Sequence, residues 1–273
     1  MAEIEIATSG YSYDDWKGVL YPEDLPKSGY LQYYSLFFPF VELNFSYYAM
    51  PKPRALSNML AKTPKGFLFS IKAHRSLSHE PGPGWKEDAK TYSRAVNVLA
   101  ETDRLLAVLI QLPYRFHYTK DNRTYLAALL KELAPLPLLL EFRNNEWNSQ
   151  RVYEELERRN TGLVMTDNPD LPGLPGAGHQ DAGLTVFGGP ANYKQVIGNI
   201  AYIRYHGRNT DSWWSGNAVS RYDYLYSEEE LALSIPRLKS MAKKAKLYVA
   251  FNNHARGSAV KNARQLKKIL GGN

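Results

Sequence analysis

The sequence predicts an α/β fold of one domain over residues 1–273, a (β/α)8 TIM barrel with long loops after its sixth and seventh strands. Three observations predict it. Eight apolar, strand-like runs recur along the chain, and segments with helical periodicity lie between most of them. Strands alternating with helices imply right-handed crossovers and a parallel sheet, and eight such units in about 250 residues fit a closed barrel better than an open doubly wound sheet. Finally, most runs end in polar or charged residues spaced two apart, which puts them on one face of each strand. Burying so many unpaired charges would be costly, so that face is expected to converge where the groups pair with each other or with a ligand.

The first run, near 4–9, leads into Thr8-Ser-Gly-Tyr-Ser-Tyr-Asp-Asp-Trp16. A Rossmann-type sheet would place a glycine-rich phosphate fingerprint there, and this is not one. Helical periodicity near 28–37 precedes the second run, 40–44, which carries Glu42 and Asn44. After a helix near 53–62 the third run, 67–72, carries Ser70 and Lys72, with His74 beyond. A helix near 87–103 leads to the fourth run, 105–111, ending at Gln111. A helix near 121–133 leads to the fifth, 138–142, which gives Glu141 and then Arg143. The sixth run, 163–166, follows a helix near 149–159 and precedes Asp167. Residues 168–199 are rich in Pro and Gly, with Gly173, Gly176 and Gly178 reading as turns. The seventh run, 200–206, gives Arg204 and His206, with Arg208 two residues on. Residues 207–227 then hold Trp213-Trp214, Tyr222, Tyr224 and Tyr226. A helix near 228–244, the eighth run at 247–252 with Asn252, His254 beyond it, and a helix near 258–270 complete the chain. Connections as long as the two around the seventh run are usually lids or binding elements.

Composition narrows the class. With 44% apolar residues and no long low-complexity tract the chain is globular. Cysteine is absent, which removes disulfides, thiolate catalysis and sulfur-ligated zinc. No basic segment with an apolar core opens the sequence and no apolar stretch approaches membrane length, so a cytoplasmic location without a membrane partner is expected. The net charge of +7 is uneven: the last 43 residues carry ten basic side chains and no acidic one. Such a region either attracts a polyanion or is a solvated surface with Lys and Arg near helix C-termini.

Several chemistries fit the strand ends. Glu42 and Glu141 stand on opposite sides of a barrel mouth, as paired carboxylates do in glycoside hydrolysis, or else serve as partners for Lys72, Arg143 or Arg204. Common barrel glycosidases carry their acids after strands four and seven, where this chain has Gln111 and His206. Glu141, Asp167 and His206 compose the alternative divalent-metal set, but no HxxxH or HxH pair supports it. Lys72, Arg143, Arg204 and Arg208 at the same mouth suit a phosphate or carboxylate better than a metal, because guanidinium groups bind such anions in a bidentate manner. His206, flanked by Arg204 and Arg208, is expected to be neutral and usable as a base. Among 20 tyrosines and five tryptophans, Tyr11, Trp16, Tyr222 and Tyr224 lie near strand ends, where aromatic faces stack on sugars or bases. Half of such aromatics are expected simply to pack.

Gly10-Tyr-Ser-Tyr-Asp-Asp-Trp-Lys-Gly18 with Tyr21-Pro22 closely resembles the opening motif of the YecE-like family, a domain of unknown function. Val41-Glu-Leu-Asn-Phe-Ser-Tyr-Tyr48, Phe69-Ser-Ile-Lys72, Glu141-Phe-Arg143, Tyr205-His-Gly-Arg-Asn209, Arg221-Tyr-Asp-Tyr224 and Phe251-Asn-Asn253 are similar to its other motifs. The resemblance spans about residues 6–265 and implies a TIM barrel without supplying a reaction. A looser likeness joins the chain to the xylose-isomerase and endonuclease IV barrels, which hold metals on Glu, Asp and His.

The expectation is an enzyme of the hydrolase or isomerase type, without a cofactor, acting on a phosphorylated, carboxylated or nucleic-acid-derived sugar. Glu42, Glu141 and His206 would do acid–base work, Arg143, Arg204, Arg208 and Lys72 would hold the anion, and Asn44, Gln111 and Asn252 would orient the substrate. The rival expectation is a non-catalytic nucleic-acid-binding protein, with the basic C-terminal region on phosphates and the loop aromatics on bases.

Overall fold

Two-residue alternation in the apolar runs builds the sheet, and 3.6-residue periodicity between them builds the helices that cover it. A computed structural model describes residues 4–175 and 200–271. In chain order the elements are β1 (Ile4–Thr8), α1 (Tyr30–Tyr34), β2 (Phe40–Leu43), α2 (Phe45–Tyr48), α3 (Pro53–Ala61) and β3 (Leu68–Lys72). Next come α4 (Arg75–Ser78), α5 (Trp85–Ala100), β4 (Leu105–Gln111), α6 (Lys120–Leu133), β5 (Leu138–Glu141), α7 (Gln150–Arg158) and β6 (Gly162–Asp167). The chain ends with β7 (Ile200–Tyr205), α8 (Ala218–Arg221), α9 (Glu228–Ala242), β8 (Lys246–Phe251) and α10 (Ser258–Ile269). All eight expected strands are present.

The strands pair in parallel in the order β1-β8-β7-β6-β5-β4-β3-β2. The ring closes where Ser9 and Glu42 form a parallel bridge, with Gly10 N–H donating to the Glu42 carbonyl at 2.8 Å. Register sets which residues point inward: Glu42 lies beside Ser70, Gln111 beside Glu141, and Thr166 beside Arg204. The opposite parity, including Val41, Ile71, Val108, Leu140, Ile203 and Val249, is fully buried beneath the helices. Each such side chain contributes roughly 1.5–3 kcal/mol.

Local chemistry fixes the helix starts. Thr119, Ser149 and Ser227 cap α6, α7 and α9 with their side chains, and Ser227 forms a reciprocal capping box with Glu230. Each cap stabilises by about 1 kcal/mol. The helix expected over 28–37 is shorter, a 3-10 turn at Lys27–Gly29 followed by α1. Pro39 drives the residue before it toward extended backbone, so the chain must leave the helix early to enter β2. Three one-turn helices, α2, α4 and α8, were not expected; α2 and α4 follow strand ends, α8 lies within the connection after β7, and each is too short for a periodic signal. The Gly- and Pro-rich stretch after β6 is described only to residue 175; Gly176, Gly178 and the rest of that expected loop lie outside the described residues. Among the described residues no helix is long and apolar enough to cross a membrane.

Candidate ligand pocket at the barrel mouth

Alternation along β2, β5 and β7 brings Glu42, Glu141 and Arg204 together inside the barrel. Arg204 grips Glu42 with two bonds, Nη2 to Oε1 at 2.6 Å and Nε to Oε2 at 2.9 Å, and gives Nη1 to Glu141 Oε2 at 2.6 Å. Ser9 Oγ–H donates to Glu42 Oε1, and Tyr202 donates to Glu42 Oε2 at 3.0 Å. Arg143 Nε takes the remaining Glu141 oxygen at 2.5 Å. Both carboxylates are fully buried and each oxygen is occupied. Burial alone would raise the Glu141 carboxyl, but Arg143, Arg204 and His206 together hold it well below the usual carboxylate range. The pair therefore behaves as the anchor of the site. Neither acid is exposed to the mouth, and Glu42 faces Arg204, not Lys72.

His206 continues the network. Its Nδ1 accepts from Asn252 Nδ2 at 3.0 Å, and its Nε2 lies 3.3 Å from Glu141 Oε1 and 3.1 Å from Arg143 Nη2. Burial first, then Arg143 and Arg204 against the pull of Glu141, push the imidazole well below its ordinary value, while Arg208, expected to contribute, is turned away. The ring is fully buried. It orients Arg143, whose guanidinium lies over the Trp213 ring at 5.6 Å and reaches the Tyr222 hydroxyl at 3.4 Å.

Lys72 has a different environment. Its Nζ donates to Gln111 Oε1 at 2.9 Å and lies 4.5 Å above the Tyr47 ring. Burial, with help from Arg204 and Arg143, lowers it to about 7 against the opposing pull of Glu141 and Glu42. Asn44 Nδ2 donates to Ser9 Oγ at 2.8 Å, while its Oδ1 is buried without a partner.

Above these groups opens a cavity of about 360 Å³ lined by His79, Gln111, Pro113, Tyr114, Arg115, Arg143, Leu174, Trp213, Trp214, Arg221 and Tyr222. Three arginines and four aromatic rings line it, and among these described residues there is no acid. Arg221 Nε has no hydrogen-bond partner. Burial and the neighbouring Lys72 and Arg115 bring His79 down to about 3, so it adds no charge. Larger cavities of about 480 and 740 Å³ lie between α6 and α7 and beside the start of β1. Neither meets the C-terminal strand ends, where barrels of this kind carry their sites, whereas a third, of about 460 Å³, adjoins the mouth cavity through His79, Pro113 and Arg115.

Of the residues expected at the site, Lys72, Gln111, Glu141, Arg143, Arg204, His206, Tyr222 and Asn252 lie together at one end of the barrel. Sequence reasoning missed His79, Tyr114, Arg115 and Arg221 as lining residues, because they sit on connections where no strand alternation marks them. Several other residues are placed elsewhere. Asp167 pairs in register with Tyr205, one residue out of phase with Arg204, so it points outward. There it accepts from Arg208 at 2.7 and 2.9 Å and from Tyr226 at 2.7 Å. Burial pushes its carboxyl up against the pull of Arg208.

Arg208 leaves the inner face because Gly207, at φ 86°, turns the chain after β7. Tyr224 goes with it and donates to Glu230 at 2.6 Å. Trp16 is fully buried and donates to the His254 carbonyl at 2.8 Å, so it packs. Tyr11 packs 6.2 Å from Tyr34 and does not line the cavity. The Glu141, Asp167 and His206 metal set is thus not assembled, and among the described residues no group of three His, Asp or Glu could hold a metal.

The rival arrangement is also divided. Lys243 and Lys244 follow α9 and precede β8, and Lys267 and Lys268 end α10 beside the start of β1. They therefore lie at the N-terminal end of the barrel, while Trp213, Trp214 and Tyr222 lie at the mouth. A six-residue strand, roughly 20 Å, separates the two groups.

Residues 5–273 match the family described as "Protein of unknown function DUF72". The UPF0759 protein YunF of Bacillus subtilis is 27% identical, covering 98% of this chain and 94% of that protein. A DUF72 family protein from Thermotoga maritima is 37% identical with a TM-score of 0.84, covering 98% of this chain and 99% of that one. A DUF72 family protein from Enterococcus faecalis is 26% identical with a TM-score of 0.82, covering 99% and 96%.

Proposed function

Because the chain belongs to the DUF72 family of proteins of unknown function, its activity has to be read from its own site, and we propose that it is an enzyme acting on a small anionic sugar. The phosphate or carboxylate sits on Arg143, Arg115 and Arg221, and the sugar ring lies against Trp213 and Tyr222. One observation carries the reading: a cavity at the strand ends lined by three arginines and four aromatic rings without an acid. Guanidinium groups bind phosphate and carboxylate through paired N–H donors, and aromatic faces cover the apolar side of a sugar. Arg143 is the best placed, since Glu141, His206 and Trp213 hold its plane in one orientation. Arg204 and Arg208 are left out of the anion site, because both are committed to buried carboxylates.

Thermal-shift and calorimetric titration with ribose 5-phosphate, glucuronate and uncharged ribose tests the reading. The two anionic sugars are expected to bind and raise the melting temperature, and ribose is not. Arg143→Gln is expected to weaken their binding by at least about tenfold, the loss of one charge-assisted contact. Equal responses to all three sugars, or binding unchanged in Arg143→Gln, would remove the anion pocket from the account.

A further inference from the structure

Of the side chains beside this cavity, Lys72 is the one whose role anion binding does not explain. Among the described residues it forms no ion pair, although two glutamates lie within the same barrel. Arg143 and Arg204 have taken every carboxylate oxygen, and Lys72 is left with a neutral amide and an aromatic face. It remains partly exposed, and its Gln111 partner lines the cavity. β3 stands two strands from β5, about 10 Å across the sheet, and by register Arg143 lies four residues, about 13 Å, farther toward the mouth than Lys72. An open-chain sugar phosphate can lay its phosphate on one and its carbonyl carbon against the other.

We infer that Lys72 is a nucleophile that forms a Schiff base with the carbonyl carbon of the bound sugar. This deepens the anionic-sugar reading and rests on it for the identity of the substrate, though not for the reactivity of the lysine. The neutral amine adds its lone pair to the carbonyl carbon, and the carbonyl π pair moves to oxygen. The nitrogen, now positive, gives up a proton and the oxygen takes one, which gives a neutral carbinolamine with its nitrogen lone pair restored. A further proton lets the C–O bond break, water leaves, and the nitrogen lone pair closes the C=N bond, giving a protonated imine. The positive nitrogen then draws electrons from the adjacent carbon, so a proton or a carbon–carbon bond there can be broken without an added cofactor.

The step needs an amine that is partly neutral near pH 7, and the groups around Lys72 favour this. Arg204 from β7 and Arg143 from β5 oppose its charge, Glu141 from β5 and Glu42 from β2 favour it, and Tyr47 and His79 face it uncharged. Burial decides the balance and brings the amine to about 7. An ordinary lysine has only about one part in 2,500 neutral at that pH.

Reductive trapping tests the nucleophile separately from the anion pocket. The full chain is incubated at pH 7 with cyanoborohydride and either glycolaldehyde, which is uncharged, or ribose 5-phosphate, and the adduct is located by peptide mass mapping. Glycolaldehyde is expected to label Lys72 at least about tenfold faster than any other lysine, with a rate that climbs from pH 6 to 8 and then levels. Lys72→Met and Lys72→Arg are expected to lose this fast labelling, the second while keeping a positive charge at the site. Faster trapping of ribose 5-phosphate than of glycolaldehyde supports both readings together. Selective trapping of glycolaldehyde alone keeps the nucleophile and overturns the anion pocket. Labelling spread evenly over surface lysines with both probes overturns the nucleophile, whether or not the anionic sugars bind.

Discussion

At the scale of single residues, Lys72 is held in a state that does not favour folding. Its amine sits at about 7 in the folded chain against an ordinary value of 10.5. Between those values the unfolded chain binds the extra proton, so this residue makes stability rise with pH across that window, and its penalty is complete below pH 7. Lys72→Met removes the charge and keeps most of the apolar stem. It is expected to raise stability by about 1 kcal/mol at pH 6, or about 2–4 °C in melting temperature, with the gain fading toward pH 10. The gain is small because the side chain is partly exposed and loses its contact over Tyr47, itself about 0.5–1 kcal/mol. Melting curves at pH 6, 8 and 10 check it, and a destabilised variant at pH 6 would show that Lys72 contributes more by packing than it costs by charge.

At the scale of elements, the end of β7 decides which charges reach the site. Arg204, His206 and Arg208 follow one parity in the sequence, yet alternation holds only while the backbone stays extended. Gly207 ends it, and its amide donates to Tyr226 at 2.8 Å while Arg208 and Tyr224 swing to the outer face. A Cβ at Gly207 would come within 2.6 Å of Tyr224 Cβ, at a backbone angle that L side chains rarely adopt. Gly207→Ala is expected to cost about 2–3 kcal/mol in urea unfolding, lowering the midpoint without changing the slope. An unchanged midpoint would mean the turn tolerates another path. The same boundary explains what was legible in the sequence. The eight strands were readable because their runs are apolar, and Glu42, Lys72, Glu141 and Arg204 were placed correctly because each lies within or at the end of a strand. Arg208 and Tyr224 were not, since a positive φ is invisible to alternation. Asp167 failed for another reason: Gly162-Leu-Val-Met-Thr-Asp167 is buried on both faces and shows no phase of its own. Arg115 and Arg221 stand on connections, where position is fixed only by the finished barrel.

At the scale of the whole molecule, Arg204 ties opposite sides of the barrel together. It joins β7 to Glu42 on β2 and Glu141 on β5, and all three are buried. Such a triad is not in itself a gain in stability, because the desolvation of three charges offsets most of their attraction. Breaking it is another matter. Arg204→Met leaves Glu42 without its cation and Glu141 with Arg143 alone, and is expected to cost about 3–5 kcal/mol. Changing Glu42→Gln and Glu141→Gln in the same chain removes the stranded carboxylates but leaves Arg143 without its own, so the triple variant is expected to recover only part of that loss. Its acid sensitivity should also fall. Glu141 lies well below the ordinary carboxylate value, so its contribution is present above about pH 4.5 and is lost as pH falls through the folded value. The triple variant nevertheless loses the carboxylate that orients Arg143, so binding of the anionic sugars should remain weak after part of the stability returns. Denaturant unfolding at pH 7 and pH 3, with sugar titration on the same samples, separates the two roles. Partial recovery of stability without recovery of binding assigns the triad to positioning the site, whereas a triple variant as unstable as Arg204→Met would make it a net source of stability.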